Sequence, residues 1–389
     1  MENMIYLDNA ATAWPKPDIV YSFMNEFYRN NGVNPGRSGF DMAIEAGNLV
    51  ENTRKRLNDF FNGDSPERTV FCYNATDGLN LIINGLVGEG DHVISTNLEH
   101  NSVIRPLNHL IREVGLDVTW LPFNELGFIN PEDVAEAMQE NTKLVIINHG
   151  SNVIGTVQDL AAIGKVVKDT DAVFAADCSQ TAGVYPIDMQ AMNLDVLCFT
   201  GHKAMMGPTG IGCVLVRDHV EIAQTRAGGT GVRSAYPYHL ENYPWRLETG
   251  TLNIVGIAGL WAGQDWMDER GLDNIRNHEL NLMNKFVQNI RDIEGVILYF
   301  CDNLENHLST VSVNVRGMEA MNTGTLLDVD HNIATRTGLH CAPKVHEQMG
   351  TIEEHGTVRF SIGAFNTEAH IDKAIAALED ISSFVLKKK

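Results

Sequence analysis

"LCFTGHKAMMGPTGIGCVLV", residues 197–216, is the stretch from which the fold is read. Two apolar runs of strand length flank a glycine-rich turn, and that turn carries His202 and Lys203. The runs are apolar throughout rather than alternating, the pattern of strands covered on both faces. Solvation keeps most lysines at the surface, so a lysine at the end of a buried strand needs a chemical reason.

The same texture extends outward on the N-terminal side. Strand-length runs recur at "TVFCY" (69–73), "HVIS" (92–95), "DVTWL" (117–121), "KLVIIN" (143–148), "AVFAAD" (172–177) and "DVLCF" (195–199). Helix signals lie between them. Asn130 stands in a cap position, followed by Pro131 and acidic residues in a first turn. Leu49, Val50, Leu57, Phe60 and Phe61 form one stripe over 43–61. This alternation predicts the α/β class, a mainly parallel sheet flanked by helices.

After about residue 260 the pattern changes. An amphipathic run from Ile275 to Ile293 leads to "STVSVNV" (309–315), a loop-rich stretch, "TVRFSIG" (357–363) and a final helix with Ile371, Ile375, Leu378 and Ile381. A smaller α+β C-terminal domain is expected. The expected division is an N-terminal segment 1–15, a large domain 16–255 and a small domain 256–389, with "GTLNIVGIAGLWA" (250–262) as a helix crossing between the two.

The 389 residues include 29 basic and 50 acidic side chains, a formal charge of −21. Such a surface repels phosphate backbones and anionic lipid, so nucleic acid and membrane are not expected partners. No apolar run approaches a membrane span, and "MENMIYLDNAATAWPKP" has no leader character. The six cysteines (72, 178, 198, 213, 301 and 341) form no C-x-x-C pair, and the first four lie in or beside apolar runs. Free thiols in a reducing cytoplasm are expected.

Ligands of open parallel sheets bind outside the carboxyl ends of the strands. Five strand ends here carry polar or ionisable groups: Thr76 in "NATDGLN", His100 in "TNLEHN", Asn152 in "HGSNVIGT", Asp177 and Gln180 in "ADCSQTAG", and Thr200, His202 and Lys203 in "TGHK". A lysine drawn out of water becomes an amine nucleophile, which suits a Schiff base with an aldehyde cofactor. Pyridoxal phosphate needs such a lysine and an acid beside its ring nitrogen, for which Asp177 is the candidate. Thr76, Thr200 and His202 can serve its phosphate near a helix start, and His100 can stack on its ring. The blander readings are an exposed loop lysine, a helix-capping Asp177 and a satisfied half-buried His100.

Cys341 stands apart in "ATRTGLHCAPKVHEQMG", a segment without helix or strand period, beside Arg336 and His340. Positive neighbours and partial exposure make a thiolate reactive. A metal site from His340, Cys341 and His346 lacks the paired spacing of zinc sites and is not expected. Arg359, between Val358 and Phe360, is either a carboxylate clamp or half of a structural ion pair.

With "YLDNAAT" (6–12), "EHNS", "TGHKAMMGPTGIG", "RLETGTLN", "RTGLHCAP" and "VRFSIGAFNT" added, the chain resembles, nearly end to end, the pyridoxal-phosphate cysteine desulfurases and selenocysteine lyases of the class V aminotransferase superfamily. The resemblance implies fold type I, with Lys203 carrying the cofactor, Asp177 on the pyridine nitrogen, Gln180 on the ring hydroxyl and Asn152 at the ring edge near the substrate. It implies that His100 stacks and moves protons, that Thr76, Thr200 and His202 hold the phosphate, that Arg359 holds the substrate carboxylate, and that Cys341 accepts sulfur. Thr251 matches a position that reaches the partner subunit's phosphate, which implies a homodimer. The implied activity turns L-cysteine into L-alanine through a persulfide on Cys341 that passes to an acceptor protein. The alternative is a selenocysteine lyase, or another class V transaminase or C–S lyase in which Cys341 is incidental. "RTGLHCAP" resembles the second desulfurase group, departing from it at Leu339, where many members carry a second histidine.

Overall fold

A computed structural model describes residues 4–35 and 39–387. In chain order the elements are β1 (Ile5–Tyr6), α1 (Asp18–Asn31), α2 (Asp41–Phe60), β2 (Thr69–Cys72), α3 (Ala75–Leu86), β3 (His92–Thr96), α4 (Asn101–Val114), β4 (Asp117–Leu121), α5 (Pro131–Ala137), β5 (Thr142–Asn148), α6 (Leu160–Val167), β6 (Val173–Asp177), β7 (Val196–Thr200) and β8 (Gly212–Val216). The chain continues through α7 (Ile254–Arg270), α8 (Leu272–Ile290), β9 (Val296–Tyr299), β10 (Thr310–Val315), α9 (Ala320–His331), β11 (Ile333–Ala334), β12 (Arg336–Gly338), α10 (Pro343–Met349), β13 (Thr357–Ser361) and α11 (Glu368–Leu386).

Seven strands form one sheet in the order β2-β8-β7-β6-β5-β3-β4. All run parallel except β8, which is antiparallel to both neighbours. This is the expected α/β class. Successive residues feed two cores: Val145, Ile147, Phe174, Leu197 and Phe199 face one, and Leu144, Ile146, Ala175, Val196 and Cys198 face the other. Both faces are therefore dry, which is why these strands read as unbroken apolar runs. Each fully buried leucine, valine or phenylalanine contributes about 1.5–3 kcal/mol.

The C-terminal part builds an antiparallel sheet in the order β12-β13-β10-β9, covered by α8 and α11 around Phe286, Phe360 and Leu378. The N-terminal segment joins this core: β1 pairs with β11, and Ile5 and Leu7 are buried there. The amphipathic run after 270 is a helix, and Gly271, at φ +79°, turns the chain between α7 and α8.

Two expectations and one omission need correction. The stretch between β10 and β13 is not mainly loop, because it holds α9 and α10. Alpha-9 leaves Met321 and Val329 exposed, so its sequence lacks an amphipathic period. Strand β9 went unread although "VILY" (296–299) is an apolar run; its four residues are only half-buried. Asn130 occupies the cap position of α5, but its side chain does not cap: Asn124 donates to its Oδ1 (3.2 Å), and its Nδ2 reaches Asp133 (3.3 Å).

Candidate active site

The carboxyl ends of β2, β3, β5, β6 and β7 lie on one side of the large sheet, and a crevice of about 200 Å³ opens there. Nine of the eleven sequence-predicted residues line it: Thr76, His100, Asn152, Asp177, Gln180, Thr200, His202, Lys203 and Arg359. Cys341 borders an adjoining groove that shares Thr76, His100 and Ser102 with the crevice. Thr251 is exposed and lines a separate small cavity with Asp77 and Arg226.

Lys203 follows β7 in the turn that Gly201 and Gly207 close. Desolvation in the crevice lowers its amine to about 8, reinforced by Arg359 and Arg336 and opposed by Asp177 and Cys341. Asp177 ends β6 and is 4% exposed. One oxygen accepts from the Ser179 backbone N–H (3.0 Å) and hydroxyl (2.5 Å). Among the described residues it caps no helix, and its charge is the first of the two that oppose the lowering of the Lys203 amine.

Next to these groups lies an N-terminal helix end. Asn74 caps α3, accepting from Asp77 N–H at 3.0 Å, so the first turn with Thr76 faces the crevice. A Cβ on Gly212 would stand 2.8 Å from the Asn74 carbonyl carbon, so only glycine lets β8 approach this turn. Thr200 Oγ1 and His202 Nδ1 are buried without a hydrogen-bond partner among the described residues. Burial, then Lys203 and Lys16, pushes the His202 imidazole down to about 4. Unpaired buried donors and acceptors beside a helix N-terminus are what a phosphate would satisfy.

His100 caps α4. Its Nδ1 accepts from the Ser102 backbone N–H (3.1 Å), and Ser102 Oγ stands 2.8 Å from it and 2.7 Å from Thr76 Oγ1. An accepting Nδ1 assigns the ring proton to Nε2. Asn152 donates to the His340 carbonyl (2.6 Å) and leaves Oδ1 unpartnered. Gln180 donates to the Ala10 carbonyl (3.0 Å). Arg359, 1% exposed, donates to Asp8 Oδ1 (2.5 Å) and the Asn152 carbonyl (3.0 Å), with Nε unpartnered. The ion-pair reading of Arg359 is thus realised through Asp8, while the residue still borders the crevice.

Cys341 sits between β12 and α10 in a strained turn, with φ +48° at His340 and +59° at Cys341. Consecutive non-glycine residues in this region cost energy and occur where surroundings enforce them. Gly356 is one enforcer, since its Cβ would stand 2.2 Å from the Gly338 carbonyl oxygen. Another is the Asn101 N–H, which donates to the Cys341 carbonyl at 2.7 Å. A hydrogen bond from His100 is the largest cause that brings the Cys341 thiol down to about 6; burial opposes it, and Arg336, donating to Sγ at 3.2 Å, assists. The other five cysteines are buried, and burial raises every one of their thiols. His340 and His346 are each tied to threonines, at 3.1 Å and 2.8 Å. Among the described residues no three His, Cys, Asp or Glu side chains are grouped to hold a metal.

Sequence reasoning missed Asp8, Lys16, Ser102, Asn148 and Ser179, and it assigned Arg336 only to the thiol. Lys16 donates to the His202 carbonyl (2.6 Å), and burial lowers its amine to about 8. Asp8 lies in "YLDNAAT", whose Ala10 and Ala11 border the crevice.

A helix-wrapped, mainly parallel sheet carries Lys203 and Asp177 at its carboxyl edge, and the chain belongs to the class-V aminotransferases, whose family profile (Aminotransferase class-V) matches residues 5–374. Its relatives narrow this to the cysteine desulfurases. A probable cysteine desulfurase of Methanothermobacter thermautotrophicus is 33% identical over 387 residues, 98% of this chain and 96% of that one. A cysteine desulfurase of Escherichia coli O157:H7 is 32% identical, covering 97% and 93%. The solved apo cysteine desulfurase of Thermococcus onnurineus superposes with a TM-score of 0.91 at 32% identity, covering 98% and 95%. Among the described residues, no helix is long and apolar enough to cross a membrane.

Proposed function

We propose that this chain is a pyridoxal-phosphate-dependent cysteine desulfurase that converts L-cysteine to L-alanine and holds the removed sulfur on Cys341 as a persulfide. One observation carries the reading: an amine lowered to about 8, a buried carboxylate and a thiol lowered to about 6 converge on one strand edge. The residues fit the cofactor. Thr76 and the α3 N-terminus, with the unpartnered Thr200 and His202 atoms, would hold its phosphate; Asp177 and Gln180 would meet its ring, and His100 and Asn152 would flank it. Bound there, pyridoxal phosphate supplies an aldehyde for amines and a ring that draws electrons from the adjacent carbon.

The chain's own groups do the rest. Arg359 Nε, with Arg336 beside it on the paired strand β12, orients the substrate carboxylate. Lys203, more often neutral near pH 7 than an ordinary lysine, takes the Cα proton at Nζ and later returns one. The Cys341 thiolate forms an S–S bond to the substrate sulfur as the substrate C–S bond breaks. The thiol hydrogen of cysteine ends on the methyl carbon of alanine, and the negative charge moves to the terminal persulfide sulfur. His100 Nε2–H holds the attacking thiolate until that bond forms. A thiol on an acceptor protein then receives the sulfur.

We read the chain as a homodimer in which Thr251 of each subunit serves its partner's phosphate site, with domain limits at 16–255 and 256–389. The lyase reading that leaves Cys341 idle has no use for the one thiol that is lowered among six. The test follows alanine released from L-cysteine by wild type, Lys203→Ala and Cys341→Ala. Loss of alanine in both variants is expected, and wild-type release by Cys341→Ala refutes the assignment of the thiol.

A further inference from the structure

Glu99 takes no part in the chemistry above, yet it has no exposed surface and sits beside the site. Its Oε1 accepts from Thr96 Oγ1 and from the Asn148 backbone N–H, both at 2.8 Å, and its Oε2 has no partner among the described residues. Asn148 Nδ2 in turn donates to the Leu98 carbonyl (2.8 Å), so the turn after β3 is tied to the end of β5 at two points.

Both ends of this tie are functional. The residue after Glu99 is His100, which caps α4 and lines one groove with Cys341, and the next N–H, of Asn101, donates to the Cys341 carbonyl (2.7 Å). Asn148 borders the crevice and is the register partner of Asp177 on the next strand. A buried backbone N–H and hydroxyl that lost their acceptor would each have to find another, and the turn carrying His100 would lose one of its two ties to β5. A 1 Å displacement at a reacting group is enough to cost about a hundredfold in rate.

We propose that Glu99 is a positioning residue whose carboxyl clamps the β3–α4 turn onto β5 and thereby sets where His100 stands against the Cys341 thiol. The inference rests on Cys341 being the sulfur-accepting thiol. Burial raises the Glu99 acid to about 8, the two hydrogen bonds oppose this, and Asp177, the charged group facing it, adds to it. Near neutral pH the clamp is accordingly a neutral acid, whose carbonyl oxygen an amide can replace.

The test is the pH dependence of Cys341 alkylation, read by mass spectrometry of its peptide, together with kcat and KM for alanine release. Glu99→Gln should keep the wild-type midpoint and a kcat within about threefold of wild type. Glu99→Ala should move the midpoint up by about one pH unit and lower kcat about tenfold or more, with KM little changed. Thr96→Val, which removes one strut, should move the midpoint the same way by less. A folded Glu99→Ala or Thr96→Val protein with the wild-type midpoint overturns the proposal, as does a Glu99→Gln variant as impaired as Glu99→Ala. Alkylation needs neither cofactor nor substrate, so a wild-type midpoint near that of a free thiol would instead count against the sulfur-acceptor reading of Cys341.

Discussion

Replacing Arg336 with glutamine tests how the acceptor thiol is activated. The guanidinium stands 3.2 Å from Cys341 Sγ and acts on it both as hydrogen-bond donor and as charge, second to His100. An opposite charge at this range is worth about one to three pKa units, and glutamine keeps a donor, so the lower end applies. A thiol at about 6 is about 90% thiolate at pH 7, whereas one at about 7 is about half thiolate. At pH 6 the contrast widens, from about one half to about one tenth. The sign is that of an acid held low: wild-type activity and alkylation are lost as pH falls through about 6, and in Arg336→Gln they are lost about one pH unit higher. Well above both midpoints the variant should alkylate slightly faster, because a more basic thiolate is the better nucleophile. The assay is the alkylation rate of the Cys341 peptide between pH 5 and 9, fitted to one midpoint. Identical midpoints in the two proteins would refute the role given to Arg336.

Lys203→Ala should keep its circular dichroism spectrum while alanine release falls about 10²-fold to 10⁴-fold, the range for a lost proton-transfer group; measurable turnover near wild type contradicts the reading. Gly356→Ala places a Cβ 2.2 Å from the Gly338 oxygen at a backbone φ of +94°, so thermal unfolding should show a loss of about 1–3 kcal/mol, with slower persulfide formation because the thiol loop shifts. Gly212→Ala crowds the Asn74 turn, and dialysis should strip pyridoxal phosphate from it faster than from wild type, while equal retention would remove that turn from the phosphate site. Sedimentation at micromolar concentration should give twice the 43.0 kDa chain mass, and a 43.0 kDa species would leave Thr251 without its assigned role.

The large sheet was legible because both faces of its strands are dry, which forces long apolar runs such as Leu144–Ile147. Lys203, Asp177 and His100 were legible for a related reason: in a parallel sheet the carboxyl ends share one side, so sequence position alone brings them together. Asp8 and Lys16 were not, since they reach Arg359 and the His202 carbonyl over separations of 351 and 186 residues, which local pattern does not encode. Glu99 was hidden by its own burial, as one acid among 50 acidic side chains. Arg359 is legible only in part: the strand announces a buried cation, and only the fold supplies Asp8 as its partner.

The most direct measurement is the intact mass of the Cys341 peptide after one equivalent of L-cysteine meets the pyridoxal-phosphate-loaded enzyme without reductant. The account predicts one added sulfur atom on that peptide, matched by one released alanine. Alanine appearing with the peptide unmodified, or the extra sulfur found on another of the six cysteines, would contradict it.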